Sequence, residues 1–140
     1  MQVSTSQNNK PRIFNCWFSY DKNFNFYYIS PSTSKHSKEI INNPSVAVSI
    51  VNPKMSKGVG QDVQGLMLEG TAKQVKGKEL LIAYMNFLKK YPKVSQYIKF
   101  VNKKVKMKDT KIYKITPKQG IWYDEINFED YPRRKIEFNK

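Results

Sequence analysis

Three strand-like runs follow one another between residues 2 and 30 with only short turns to join them. Residues 2–5 read as a first strand, 12–20 as a second rich in aromatics, and 24–30 as a third. Asn8-Asn9-Lys10-Pro11 and Asp21-Lys22-Asn23 are the turns. Parallel neighbours need a crossover of about a dozen residues or more, so these segments can only form an antiparallel meander. Phe24, Phe26, Tyr28 and Ser30 share one face of the third strand by the two-residue period.

Pro31 ends that strand, and Ser32, Thr33 and Ser34 are candidate helix N-caps. The short helix they start carries Ile40 and Ile41 and stops before Pro44. Residues 46–51 form a fourth strand, apolar on both faces, hence expected to be central and buried. After a Gly- and Lys-containing loop over 52–62, residues 63–75 form a fifth strand. Gly65 and Gly70 interrupt it, which signals a bulge or the close approach of ligand or backbone. A helix over 78–90 presents Leu81, Tyr84, Met85 and Leu88 at helical spacing, a stripe expected to pack on the sheet. Tyr91-Pro92 breaks it, and a second helical stretch is predicted over 94–101. Strands at 110–116, 120–123 and 134–138 complete the chain. The expected fold is mainly β: one domain, 1–140, forming a small closed or partly split antiparallel barrel of six to eight strands. A short helix follows its third strand, and one or two helices follow its fifth.

Composition agrees. The chain is 39% hydrophobic, enough for a core, and its nine Tyr and eight Phe favour strands. One cysteine, Cys16, excludes an internal disulfide and fits a reducing compartment. One Cys and one His make a structural zinc site untenable. No apolar run is long enough to span a bilayer and no secretory leader is evident, so a cytoplasmic protein is expected. The net charge of +14 suits anionic partners, but the lysines are spread along the chain. Those from Lys89 to Lys108 read first as a solvated face, then as attraction to anionic ligands, and only third as a nucleic-acid surface.

The chemistry concentrates in the turn before the first helix. Ser30, Ser34, Lys35 and His36 surround a helix start, where unpaired N–H groups and the helix dipole favour an anion. A lysine is electrostatically misplaced there unless an anion is bound. Ser30 and Ser34 can donate to a phosphate or serve as turn and cap residues, and His36 can bind it or cap the helix. Cys16 sits mid-strand and reads as packing rather than as a nucleophile. Trp17 and Trp122 read as core or as stackers on an aromatic ring, and Gln64 as a half-exposed strand residue or an amide partner for a ring edge.

The ordered set of Ser30 to Ile40, then Asn43 to Val48, then Gly65-Leu66-Met67-Leu68-Glu69-Gly70 resembles the pyridoxamine 5′-phosphate oxidase-like family of FMN-binding split barrels. Tyr84, Tyr91-Pro92, Ile112-Tyr113-Lys114-Ile115-Thr116-Pro117, Trp122 and Ile126-Asn127-Phe128 extend the likeness over nearly the whole chain. The resemblance implies a homodimer with FMN in a cleft between subunits. It implies phosphate contacts from Ser30, Ser34, Lys35 and His36, and cofactor contacts from Tyr28 and Ile29 just before them. Asn15, Cys16 and Trp17 would line the ring, Gln64 and Gly65 its polar edge, and Trp122 would reach in from the partner subunit. True oxidases of the family begin with a longer helical section and carry an Arg-rich motif near the C-terminus. Arg133-Arg134-Lys135-Ile136-Glu137-Phe138 departs from that motif, so a small generic member is implied.

Three functions follow: an FMN-dependent oxidoreductase acting on a small molecule; a non-catalytic carrier or sensor for FMN, haem or a deazaflavin; and a nucleic-acid-binding module. With a single histidine, haem has few axial ligands to choose from.

Overall fold

A computed structural model describes residues 1–52, 62–96, 98–101, 104–106, 109–128 and 130–138. Its strands are β1 (Gln2–Gln7), β2 (Lys10–Asn15), β3 (Phe18–Tyr20), β4 (Phe26–Pro31), β5 (Ser45–Val51), β6 (Gln64–Gln74), β7 (Lys99–Val101), β8 (Lys104–Lys106), β9 (Thr110–Asp124) and β10 (Arg133–Glu137). Helix α1 spans Lys35–Asn42, α2 spans Gly77–Lys90, and a 3₁₀ turn covers Pro92–Gln96. Most of the expected 52–62 loop lies outside the described residues.

Eight antiparallel strands form one sheet in the order β2-β1-β5-β6-β9-β4-β3, with β10 added to β9. Its two edge strands, β2 and β3, are consecutive in the chain. Cys16 and Trp17 alone join them, so the sheet must curl until its edges meet, as in a split barrel. Met1 fastens this seam: its amino group donates to Cys16 O at 3.1 Å, and Cys16 N–H donates to Met1 O at 3.0 Å. The β1–β2 hairpin turns on Asn8 and Asn9, both at positive φ (52° and 58°), the pair of left-handed residues a type I′ turn requires.

Several elements differ from the sequence reading. The single strand expected over 12–20 is two strands, because its halves pair with opposite ends of the sheet. The two strands expected at 110–116 and 120–123 are one, β9, which continues through Pro117. A register shift at Glu69/Gly70 of β6 faces that proline, the place in a ladder where proline is tolerated. A Cβ on Gly70 would lie 2.3 Å from Thr116 O, so only glycine fits this crossing. The helix expected over 94–101 is instead a 3₁₀ turn followed by β7, since the aromatic and β-branched pair Phe100-Val101 favours a strand. β5 is central as expected but buried on one face only: Val46 and Val48 point inward, while Ala47 and Val51 are exposed.

Two cores result. One fills the barrel with Val3, Phe26, Tyr28, Ile40, Val46, Val48, Leu68, Ala72, Tyr113 and Ile115. The other lies between the sheet and α2, around Tyr27, Val75, Ala83, Tyr84, Phe87 and Ile112. Each fully buried large apolar side chain contributes about 1.5–3 kcal/mol. The α2 stripe is rotated from the expected one. Ala83, Tyr84 and Phe87 are buried with Leu80 and Leu88 beside them, while Leu81 and Met85 face outward. Both sets fit the helical period, and the large Phe87 ring decides between them. Phe26, Tyr28 and Ser30 share the barrel face of β4 as expected, but Phe24 belongs to the preceding turn at φ 56° and is exposed.

Candidate functional site

β4 delivers Ser30 to the start of α1, where Ser34 caps the helix: its Oγ accepts from Ser37 N–H at 3.3 Å. Ser30 Oγ lies 2.6 Å from His36 Nε2, Ser34 Oγ lies 3.0 Å from the same nitrogen, and the two hydroxyls are 3.3 Å apart. Ser34 Oγ also donates to Ser37 Oγ at 2.8 Å. Phe14 of β2 stacks on the imidazole, ring centroids 3.7 Å apart. Lys35 is exposed at the first position of the helix, and no acid occupies the first turn. Burial holds the His36 pKa below its usual value; Glu39 opposes this and Arg12 adds to it. The imidazole is therefore mainly neutral at pH 7, and no acid in the first helical turn offsets the donors gathered there.

Glu39 fixes this corner to the sheet. It is buried, accepts from Thr5 Oγ1 at 2.6 Å and pairs with Arg12 Nε at 3.0 Å. Those two hydrogen bonds, Thr5 first, outweigh desolvation and hold its carboxyl below the usual range. Arg12, Phe14 and Glu39 escaped the sequence reading. The two-residue period puts Arg12 and Phe14 on one side of β2, with Cys16 following in the same phase, and that was the signal available for the first two.

The remaining candidates gather around two hollows that share Val51. One, of about 480 Å³, is lined by Asn15, Cys16, Trp17, Met1, Gln2 and Ser49. The other, of about 530 Å³, is lined by Gln64, Gly65, Trp122, Phe18 and Lys90 among others. Trp17 is 78% exposed and Trp122 45% exposed, so neither indole is core. Trp17 meets Tyr91 edge-on and Trp122 meets Phe128 likewise. Gln64 is held at both ends: its Oε1 accepts from Asn52 Nδ2 at 2.8 Å and its Nε2 donates to Asp124 Oδ1 at 3.0 Å. A Cβ on Gly65 would lie 3.0 Å from Ile50 O, so the neighbouring backbone is one reason for glycine there. Burial pushes the Cys16 thiol up to about 12, the N-terminal charge opposing it, which makes it a poor nucleophile.

Two candidates stand apart from both groups. Ile29 packs on the other face of β4, toward the α2 core, so its side chain is not with Ser30. Tyr28 is fully buried, stacked on Tyr113 at 5.2 Å, and its hydroxyl has no partner. Tyr28 and Phe14 (centroids 5.6 Å apart) carry the packing from the His36 corner toward Cys16. No group of three or more metal-ligating side chains occurs among the described residues, and no helix there is long and apolar enough to cross a membrane.

Comparison with known proteins bears on this arrangement. A family model described as pyridoxamine 5′-phosphate oxidase matches residues 1–122. No curated protein matches the sequence. Among solved structures, a heme binding protein from Mycobacterium smegmatis superposes with TM-score 0.78 at 14% identity, covering 97% of this chain and 51% of that one. This chain thus spans about half of that protein's length. HutZ, the heme storage protein of Vibrio cholerae, matches with TM-score 0.64 at 13% identity over 84% of this chain and 80% of its own. General Stress Protein 26 of Bacillus anthracis matches with TM-score 0.62 at 19% identity over 97% and 86%. At such identities these likenesses establish the fold.

Proposed function

Since the chain belongs to the pyridoxamine 5′-phosphate oxidase family, we propose that it binds FMN between two copies of itself and acts as an oxidoreductase on a small molecule. The observation that carries this reading is the donor-rich, acid-free start of α1. Ser30 and Ser34 can turn their hydroxyls from each other and from His36 onto phosphate oxygens. The Lys35 ammonium supplies charge, and the amides of Lys35 and His36 open the helix toward the same oxygens. A dianion there raises the His36 pKa, so the imidazole takes up a proton as the phosphate arrives.

The hollows on either side of Val51 are the place for the ring, where Trp17 and Trp122 offer indole faces that exclude water. Gln64, oriented by Asn52 and Asp124, keeps an N–H and a lone pair for a polar edge. Ile13, Val51 and Met67 leave an apolar outer face on β2, β5 and β6 that a second copy can cover. Bound flavin supplies the hydride or electron chemistry; the chain supplies the anchor, the orientation and a dry face. The lone cysteine suits the reducing cytoplasm.

The heme proteins among the structural neighbours favour a haem carrier as the second reading. Against it, Nε2 of the chain's one histidine faces two hydroxyls and its ring is stacked on Phe14, so ligating iron would require the corner to be rebuilt. Absorbance titration separates the two. Saturable binding of FMN that Lys35→Glu weakens about tenfold to a hundredfold supports the flavin reading. Binding of haem with no response to FMN overturns it.

A further inference from the structure

On the opposite face of β4 from Ser30, a cleft of about 930 Å³ opens between the β3–β4 turn and α2. That volume lies within the range of small-molecule pockets. Two polar groups in its wall are unmet. Ser19 is 1% exposed and its Oγ has no hydrogen-bond partner; Asn86 Nδ2 is buried and has none either. Native interiors seldom leave such groups unpaired, because each then bears its full desolvation cost. Both residues line the cleft at the α2–β3 contact, far apart in sequence, and the two atoms are themselves closed off from solvent, so a ligand meets them only when these side chains rotate toward it.

The charges around them are unbalanced. Asp21 is saturated, accepting from the Asn23 and Asn25 amides, the Asn25 side chain and the Tyr27 hydroxyl. Glu79 is paired with Lys114 and, at 3.9 Å, with Lys73. Lys22, Lys89 and Lys90 have no carboxylate partner among the described residues. Tyr20 and Ile82, each more than half exposed, add an apolar wall.

We propose that this cleft is a second ligand site, independent of the flavin reading, for a small organic anion: a carboxylate or phosphate on an apolar body. The Asn86 amide and the Ser19 hydroxyl rotate outward to donate to the acid group under the charges of Lys22 and Lys89, and the body lies on Tyr20 and Ile82. Carboxylate and phosphate share this chemistry, and comparing the two probes decides between them.

The test is an amide chemical-shift titration of the whole chain with benzoate, phenyl phosphate and benzyl alcohol. Saturable shifts at Ser19, Asn86 and Lys89 with at least one acid, about tenfold or more weaker with the alcohol, are expected. Asn86→Leu and the surface change Lys89→Glu should each weaken acid binding about tenfold, while FMN titration of both variants stays as in the parent. The proposal is overturned if neither acid moves these amides at millimolar concentration, if the shifts are confined to residues 30–36, or if Lys89→Glu leaves acid affinity unchanged.

Discussion

β4 has a polar cluster on each face, and the two are built in opposite ways. At its C-terminal end, Ser30, Ser34, Ser37 and His36 bond to one another and Glu39 ties them to the sheet. On the α2 side, Ser19 Oγ and Asn86 Nδ2 have no hydrogen-bond partner. The first cluster is stable without a ligand and must be rearranged to receive one. The second leaves two donors unmet and gains from an acceptor toward which they can turn. Tyr27, which lines the cleft, and Ser30 are three residues apart, about 10 Å along the strand and on opposite faces.

The sharpest way to break this contrast is to remove the anchor. Glu39→Ala strands the Arg12 guanidinium and the Thr5 hydroxyl, and should destabilise the fold by about 2–3 kcal/mol in denaturant unfolding while abolishing FMN binding. A loss below about 0.5 kcal/mol would show that the corner does not depend on it.

Paired substitutions test the two clusters directly. Ser34→Ala removes a helix cap and should cost about 1 kcal/mol. Asn86→Leu removes an unmet buried amide and should leave stability unchanged or raise it by about 1 kcal/mol. A loss in Ser34→Ala without one in Asn86→Leu is expected, and equal losses in both variants would refute the comparison.

The pH response is smaller, and its step nearest neutrality belongs to the α1 corner, while Asp21 and Asp124 are carboxylates held down, against desolvation, by hydrogen bonds elsewhere. The His36 pKa is depressed in the folded chain, so below its unfolded value of about 6.5 the unfolded chain binds more protons. Stability should therefore fall as pH drops through that value. Below about pH 4 a second loss begins as Glu39, also depressed, takes a proton and gives up its pairing. Unfolding midpoints measured across this range should show both steps, and His36→Gln should remove only the first. The smallest effect expected is at Cys16: with its thiol held up at about 12, alkylation at pH 8 should be slow until the chain unfolds. Fast reaction of the folded protein would contradict the burial at the seam.

What could be read from the sequence follows the same contrast. The α1 corner is local: Ser30, Ser34, Lys35 and His36 lie within one turn and one helix start, so cap preferences and dipole arguments reach them. The β1–β2 and β3–β4 pairings and the central place of β5 were equally local, but the continuous three-stranded meander was not formed, because the 12–20 segment splits between opposite edges of the sheet. The α2 cleft joins Ser19, Asn86 and Lys114, which only the tertiary fold brings together. The merging of β9 across Pro117 escaped for a related reason, since its bulge is set by Gly70 on another strand. The α2 stripe was missed by rotation because two overlapping apolar sets fit one helical period.

The claim on which the functional account stands is that the α1 corner holds a phosphate. Riboflavin is FMN without that group, so equilibrium titration of the protein with each isolates it. FMN should bind at least about tenfold more tightly than riboflavin, and Lys35→Glu should erase most of that difference. Equal affinity for the two flavins, unchanged by Lys35→Glu, would contradict it.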